Sequence, residues 1–174
     1  VTVKNGGKDL ISVVDNGSGM TEEDARLAVE RHATSKIRNE DDLFRIRTLG
    51  FRGEALAAIA AVSHFELLTC ADEASGGIRL AIQGGYLDHL GRTGFPQGTK
   101  ITIERLFYNT PARLKFLKAT ATELHHIQSW IMQQALSHPE IQFRLTHNQQ
   151  LLLHLPGNQT LEARVQQLFG EEFR

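Results

Sequence analysis

Between His64 and Leu106 lie four β-rich runs, Phe65 to Cys70, Ile78 to Ile82, Tyr86 to Leu90 and Lys100 to Leu106, punctuated by Gly76-Gly77, Gly84-Gly85 and Gly98. Glycine supplies the positive φ of tight reversals, so this spacing predicts an antiparallel meander. A second pair of β-rich runs, Val1 to Lys4 and Leu10 to Val14, flanks Asn5-Gly6-Gly7, which is hairpin turn chemistry. Helical segments stand in blocks around these strands instead of alternating with them. The expected fold is therefore α+β, a mixed or antiparallel sheet with helices on one face.

The helices carry their own signals. Thr21 precedes Glu22-Glu23-Asp24, a capping residue followed by first-turn acids, and predicts a helix to about Arg31 that buries Ala25, Leu27 and Ala28. A short helical piece is expected around Asp41 to Ile46, and an alanine-rich helix over Ala57 to Val62 that packs closely on the sheet. Pro111 opens a short helix to Lys118. Leu124, Ile127, Ile131 and Ala135 share one face of a helix over Thr122 to Ser137, with Trp130 expected in the core. Two short strands follow, Ile141 to Thr146 and Leu151 to Leu155, around a turn at His147-Asn148, and a last helix starts near Thr160.

With 174 residues the chain is one domain, or one domain and the start of another. Pro156-Gly157-Asn158 reads as a linker, dividing residues 1–156 from 157–174. Val1 opens a strand directly, without a methionine, which leads to the expectation that a preceding element is missing. One cysteine, Cys70, excludes an internal disulfide framework and fits a reducing compartment. No apolar run approaches the ~20 residues that span a bilayer. A net charge of -1 gives no compositional case for nucleic acid, so any such case must rest on local patches.

Asp15-Asn16-Gly17-Ser18-Gly19 sets a carboxylate at a strand end just before two glycines. A strand-end carboxylate accepts from an exocyclic amine such as that of adenine, and residues without Cβ let a flat ring approach the backbone. The same string also makes plain turns. It lacks the oxygen ligands and distal glutamate of a calcium loop. Gly50-Phe51-Arg52-Gly53 precedes the alanine-rich helix, where backbone N–H groups and the helix dipole suit a phosphate. A permissive turn is the simpler alternative. The spacing is neither a Walker A loop nor a dinucleotide fingerprint. Lys36, beside Thr34 and Ser35, offers a point charge for phosphate, and Gly98-Thr99 stands ready to close a pocket from a neighbouring strand. Together these features suit one mononucleotide pocket.

Asp15-Asn16-Gly17-Ser18-Gly19-Met20, Arg31-His32-Ala33-Thr34-Ser35-Lys36-Ile37, Gly50-Phe51-Arg52-Gly53-Glu54-Ala55-Leu56 and Leu106-Phe107-Tyr108-Asn109-Thr110-Pro111-Ala112-Arg113 resemble, in order and spacing, the MutL family of DNA mismatch-repair proteins. The wider gyrase, heat-shock chaperone and histidine kinase relatives share only the Asp-x-Gly-x-Gly and a Gly-x-x-Gly. The resemblance implies a Bergerat-type ATP-binding two-layer sandwich, here without its first helix. Asp15 would accept from the adenine amino group, Gly17 and Gly19 would admit the base, and Thr99 would support the contact. Lys36 and the backbone of Gly50, Phe51, Arg52 and Gly53 would hold the phosphates of ATP with Mg2+. Thr34 and Ser35 would sit in a lid whose ordering by ATP drives homodimerisation and changes partner choice.

The resemblance also implies that the catalytic glutamate and magnesium-binding asparagine precede Val1, so no catalytic residue is assigned within this chain. The parent would be an ATPase, with a scaffold that keeps the fold and has lost catalysis as the alternative. A sensor histidine kinase is disfavoured, because no phosphoacceptor helix precedes the domain. Glu54 reads as structural. Expected partners are a mismatch-recognition protein and DNA, the latter bound without sequence preference and mainly by the dimer, in a cytoplasmic setting of bacterial type. Five basic residues between Gly98 and Lys118 (Lys100, Arg105, Arg113, Lys115 and Lys118) face one acid, Glu104, and are the candidate phosphate-backbone contacts. A solvated charged face is the simpler reading of that run. His125 and His126 are adjacent on a helix, hence on different faces, and make a poor metal pair.

Overall fold

The computed structural model describes residues 1–30 and 54–170. The expected short helix at Asp41 to Ile46 lies outside them. The chain forms two compact units, one made of Ser12–Lys115, the other of Val1–Ile11 with Phe116–Arg174.

In the unit of Ser12–Lys115, the meander forms as strands β3 (His64–Cys70), β4 (Gly77–Gln83), β5 (Tyr86–Thr93) and β6 (Gly98–Glu104). With the Ser12–Asp15 part of β2 (Leu10–Asp15), their order is β5-β4-β3-β6-β2. The β4–β5 reversal is a two-residue turn, Gln83 pairing with Tyr86, and both of its glycines have positive φ, 58° and 92°. That is the condition for the mirror-image turns whose twist matches a strand pair. β6 stops at Glu104, short of the expected Leu106, because Arg105 and Phe107 take φ of 51° and 65° and leave the β region. Their turn is anchored: Phe107 N–H donates to the Val62 carbonyl at 2.7 Å, and Asn109 Nδ2 donates to that of Ala61 at 3.0 Å. The Tyr108 ring meets His64 edge-on at 4.7 Å.

Helix α1 (Glu22–Val29) starts as expected, with the Thr21 hydroxyl accepting from Asp24 N–H at 3.1 Å. Of its expected buried face, Ala25 is fully enclosed and Leu27 and Ala28 are half-buried. Helix α2 (Ala55–Ala60) contributes Ala57 and Ala60 to the interior. Ala25, Ala60, Phe65, Leu67, Leu80 and Ile82 form one cluster, joined by Ile101 and Ile103. Small alanines on both helices let them pack close to the large side chains of the sheet. The short helix α3 (Pro111–Leu114) ends before the expected Lys118.

In the other unit, strand β1 (Thr2–Lys4) runs parallel to β7 (Phe143–His147), with Thr2 opposite Thr146 and Val3 opposite His147. β7 turns directly into β8 (Gln150–Leu155) through Asn148-Gln149, again with both φ positive. The Asn5–Gly7 turn forms a 3-10 bend, and a Cβ on Gly6 would sit 2.5 Å from the Thr120 carbonyl oxygen. Asn5 ties this bend down: its Oδ1 accepts from the Thr120 hydroxyl at 2.7 Å, and its N–H donates to Asn148 Oδ1 at 3.1 Å. Helix α4 (Thr120–Ser137) buries Ile131 and Ala135, and Val3, Ile131 and Leu145 make the core with Leu124 and Ile127 against it.

Trp130 corrects an expectation, being 58% exposed and not in the core. At about 100° per residue it lies roughly a quarter turn away from the stripe of Leu124, Ile127, Ile131 and Ala135. The last helix, α5 (Leu161–Phe169), is capped by the Thr160 hydroxyl accepting from Ala163 N–H at 3.2 Å. Its Arg164 is fully buried and donates to the carbonyls of Pro139, Ile141 and Pro156 at 2.9, 2.9 and 2.7 Å. The Ile141 carbonyl is thereby engaged outside the ladder, and β7 starts at Phe143 instead of the expected Ile141.

Candidate functional site

The carboxyl end of β2 carries the first predicted residue, Asp15, exposed at the strand terminus. Its Oδ1 accepts the Gly17 N–H at 2.9 Å, an Asx turn that orients the carboxylate. Oδ2 has no hydrogen-bond partner among the described residues and stays available as an acceptor.

Two glycines then bring backbone against backbone. Gly19 has φ 67°, and a Cβ on it would lie 1.9 Å from the Cys70 carbonyl oxygen. Gly98 has φ 132°, and a Cβ there would lie 2.3 Å from the carbonyl oxygen of Asp15 itself. Any side chain at either position would push the loop away from β3 or β6. The glycines are required by this close approach.

Side-chain alternation decides which residues share a face. The Ser12 and Thr102 hydroxyls meet at 3.4 Å between neighbouring strands, so Asp15 and Thr99, each three residues along, point to the opposite face. That is the face of Ile101 and Ile103, packed on the core beneath α1 and α2. Thr99 is nearly buried and sits opposite Thr69 in the β3–β6 register, their hydroxyls 3.0 Å apart. The Thr69 hydroxyl also accepts from Met20 N–H at 2.9 Å and donates to the Gly98 carbonyl at 3.1 Å.

Asp15, Gly17, Gly19 and Thr99 therefore converge where β2, β3 and β6 end together. Thr69 was missed in the sequence. Its only signal was a hydroxyl inside the otherwise apolar end of the run from Phe65 to Cys70. Lys36, Thr34, Ser35 and Gly50, Phe51, Arg52 and Gly53 lie outside the described residues.

The basic run is spread out. Lys100 is half-buried on β6, Arg105 lies 5.9 Å from the Tyr108 ring centre, and Arg113 on α3 and Lys115 just after it are exposed. Lys118, exposed, belongs to the other unit, where its N–H donates to Glu123 Oε1 at 2.7 Å. The His125 and His126 rings are 6.3 Å apart and both residues are exposed. No group of three or more His, Cys, Asp and Glu that could hold a metal occurs among the described residues. No helix among the described residues is long and apolar enough to cross a membrane.

No protein-family model matches the chain. It is 52% identical over 170 residues to the DNA mismatch repair protein MutL of Anoxybacillus flavithermus, covering 98% of this chain and 28% of that protein. It is also 52% identical over 172 residues to MutL of Syntrophotalea carbinolica, covering 99% and 27%. The chain thus spans about a quarter of the length of these curated relatives. Among solved structures, the Aquifex aeolicus MutL ATPase domain complexed with ADP aligns with a TM-score of 0.73 at 28% identity, over 97% of this chain and 59% of that one. The N-terminal domain of a DNA repair protein aligns with a TM-score of 0.77 at 25% identity, over 98% and 51%. The α+β architecture is that of MutL ATPase domains. Half-identity to MutL proteins along nearly the whole sequence and an architecture shared with MutL ATPase domains agree: the chain belongs to the MutL family of DNA mismatch repair proteins.

Proposed function

We propose that this chain forms the base-binding part of a nucleotide pocket in a mismatch-repair ATPase, with an adenine nucleotide as ligand. The observation that carries the reading is the Asp15 carboxylate, oriented through one oxygen by Gly17 N–H and left with the other free at a backbone stripped of side chains by Gly19 and Gly98. Such a site accepts hydrogen bonds from an amino group and admits a flat ring beside it. The ADP bound to the structurally similar Aquifex aeolicus domain supports the same ligand class.

Asp15 accepts a hydrogen bond from the exocyclic amino group, Thr99 adds a second acceptor, and the glycines leave room for the ring. Lys36 and the backbone of Gly50, Phe51, Arg52 and Gly53 hold the phosphates, with Thr34 and Ser35 in the segment that responds to them. ATP hydrolysis, when magnesium is bound, is attack of water on the γ-phosphate. The residues of this chain bind and orient the nucleotide and are not assigned the general base. Nucleotide-linked ordering would then govern homodimerisation and recruitment of a mismatch-recognition protein and DNA. Lys100, Arg105, Arg113, Lys115 and Lys118 are the DNA contacts proposed, and residues 157–174 the start of the following domain.

The test is nucleotide affinity in the protein at its natural length. Asp15→Ala removes the oriented acceptor and is expected to weaken ADP binding at least tenfold, in line with a charge-assisted hydrogen bond of about 1.5–3 kcal/mol. Equal ADP affinity in the variant, measured by calorimetry, would remove Asp15 from the site and with it this reading.

A further inference from the structure

We propose that Thr69, a buried residue behind the pocket, determines which purine the site accepts by fixing the direction of the Thr99 hydroxyl proton. The inference rests on the reading above, in which the base lies against Asp15 and Thr99.

The argument is a proton count. A threonine hydroxyl has one proton to donate and two lone pairs to accept with. Thr69 is completely buried, so water does not complete its bonding. Its oxygen has three neighbours: Met20 N–H at 2.9 Å, the Gly98 carbonyl at 3.1 Å and the Thr99 hydroxyl at 3.0 Å. Met20 N–H only donates and the Gly98 carbonyl only accepts. All three contacts are satisfied at once in one way: Thr69 donates to Gly98 and accepts from both Met20 and Thr99. Leaving one of them unmade in a buried site is costly.

Thr99 has then given its proton inward, and only lone pairs remain to face a ligand. The Asp15 carboxylate also only accepts. Both side chains at the base therefore present acceptors, which welcome the 6-amino group of adenine and oppose the 6-oxo oxygen of hypoxanthine or guanine. Thr69 also holds the loop through Met20 and the start of β6 through Gly98, the two segments whose glycines abut β3 and β2. It is a positioning residue, acting on the ligand through Thr99.

The experiment compares ADP with IDP, which differ at the amino and oxo position, by calorimetric titration of the protein at its natural length. Wild type should prefer ADP. In Thr69→Val the inward acceptor is gone and the Thr99 hydroxyl is free to turn and donate outward. ADP affinity then falls while IDP affinity holds or rises, narrowing the ratio about fivefold or more, the worth of one hydrogen bond. Thr69→Ser keeps the hydroxyl and should restore the wild-type ratio. A merely structural residue would weaken both nucleotides alike. If Thr69→Val does not fold, Thr69→Cys, whose thiol is a weak partner, is read in the same way. A wild type that discriminates, with a substituted protein that keeps the same ratio, overturns the role of Thr69 alone. A wild type that binds ADP and IDP equally overturns the base-pocket reading and this inference together.

Discussion

The two units solve the problem of buried polarity differently. Among the described residues of the unit Ser12–Lys115, the buried polar side chains are the small neutral hydroxyls of Ser12, Ser63, Thr69 and Thr99. Each is satisfied within a regular framework; Ser63, for instance, donates to the Ile59 carbonyl at 2.7 Å. Among the described residues of the unit Val1–Ile11 with Phe116–Arg174, the buried polar side chain is a whole guanidinium, that of Arg164. Its donors are taken by three carbonyls and by Gln159 Oε1 at 2.8 Å, and Nη1 has no partner among the described residues. Burial pushes its pKa below the ordinary value, and the nearby Glu140 carboxylate opposes that shift.

The difference follows from the backbone each unit must hold. A β-ladder satisfies its own N–H and C=O groups, so the meander needs only hydroxyls, which remain to trim the site at its end. The turn after α4 and the segment after β8 have carbonyls outside any ladder. A planar cation with five donors gathers several of them at once.

The largest effect is expected where that cation is lost. Arg164→Met takes away the donor shared by the carbonyls of Pro139, Ile141 and Pro156, of which Pro139 keeps the Gln159 N–H, and should cost on the order of 3 kcal/mol. Hydrogen exchange should show the loss first in β7, β8 and α5. Equal loss of protection in β3 and β4 would mean that the two units unfold as one, and the contrast would then be structural only. An intermediate effect comes from matched helix caps, one in each unit. Thr21→Ala and Thr160→Ala each remove a side-chain acceptor from a first-turn N–H, worth about 1 kcal/mol. Denaturant melts that shift equally for both would indicate a single cooperative transition; two separable transitions would place each cap in its own.

The smallest effect belongs to Glu140. Its carboxyl is held below the ordinary 4.5 mainly by its own backbone N–H, then by His138, whose Nδ1 lies 3.1 Å away. A depressed carboxyl contributes stability that is present above the unfolded-state value and lost as pH falls through the folded one. Glu140→Gln should therefore melt slightly below wild type at neutral pH and equal it in acid. A gap that persists below the folded value would assign the effect to hydrogen bonding instead of charge.

Much was readable along the chain because it depends on neighbours in sequence. Thr21 and Thr160 cap helices through N–H groups three residues on. Gly84-Gly85 makes its turn because the two residues themselves accept positive φ. The stripe on α4 follows from helical periodicity, and Asp15 stands at a strand end because the Asn16–Gly19 string stops the strand. The half of the candidate site formed by Asp15, Gly17, Gly19 and Thr99 was visible for the same reason.

Other features were set by partners distant in sequence, where local preference has no force. The parallel pairing of β1 with β7 joins opposite ends of the chain, and no property of Thr2 or Thr146 announces it. Arg164 looks like an ordinary surface arginine on an amphipathic helix until three carbonyls from two separate segments close around it. Trp130, large and apolar, reads as core, yet its angle on α4 leaves it outside. Thr69 becomes a determinant only when β6 brings Thr99 opposite it and the loop presents Met20 N–H. Caps, turns and periodicity are encoded within a few residues, whereas register and burial depend on which distant groups the fold brings within bonding distance.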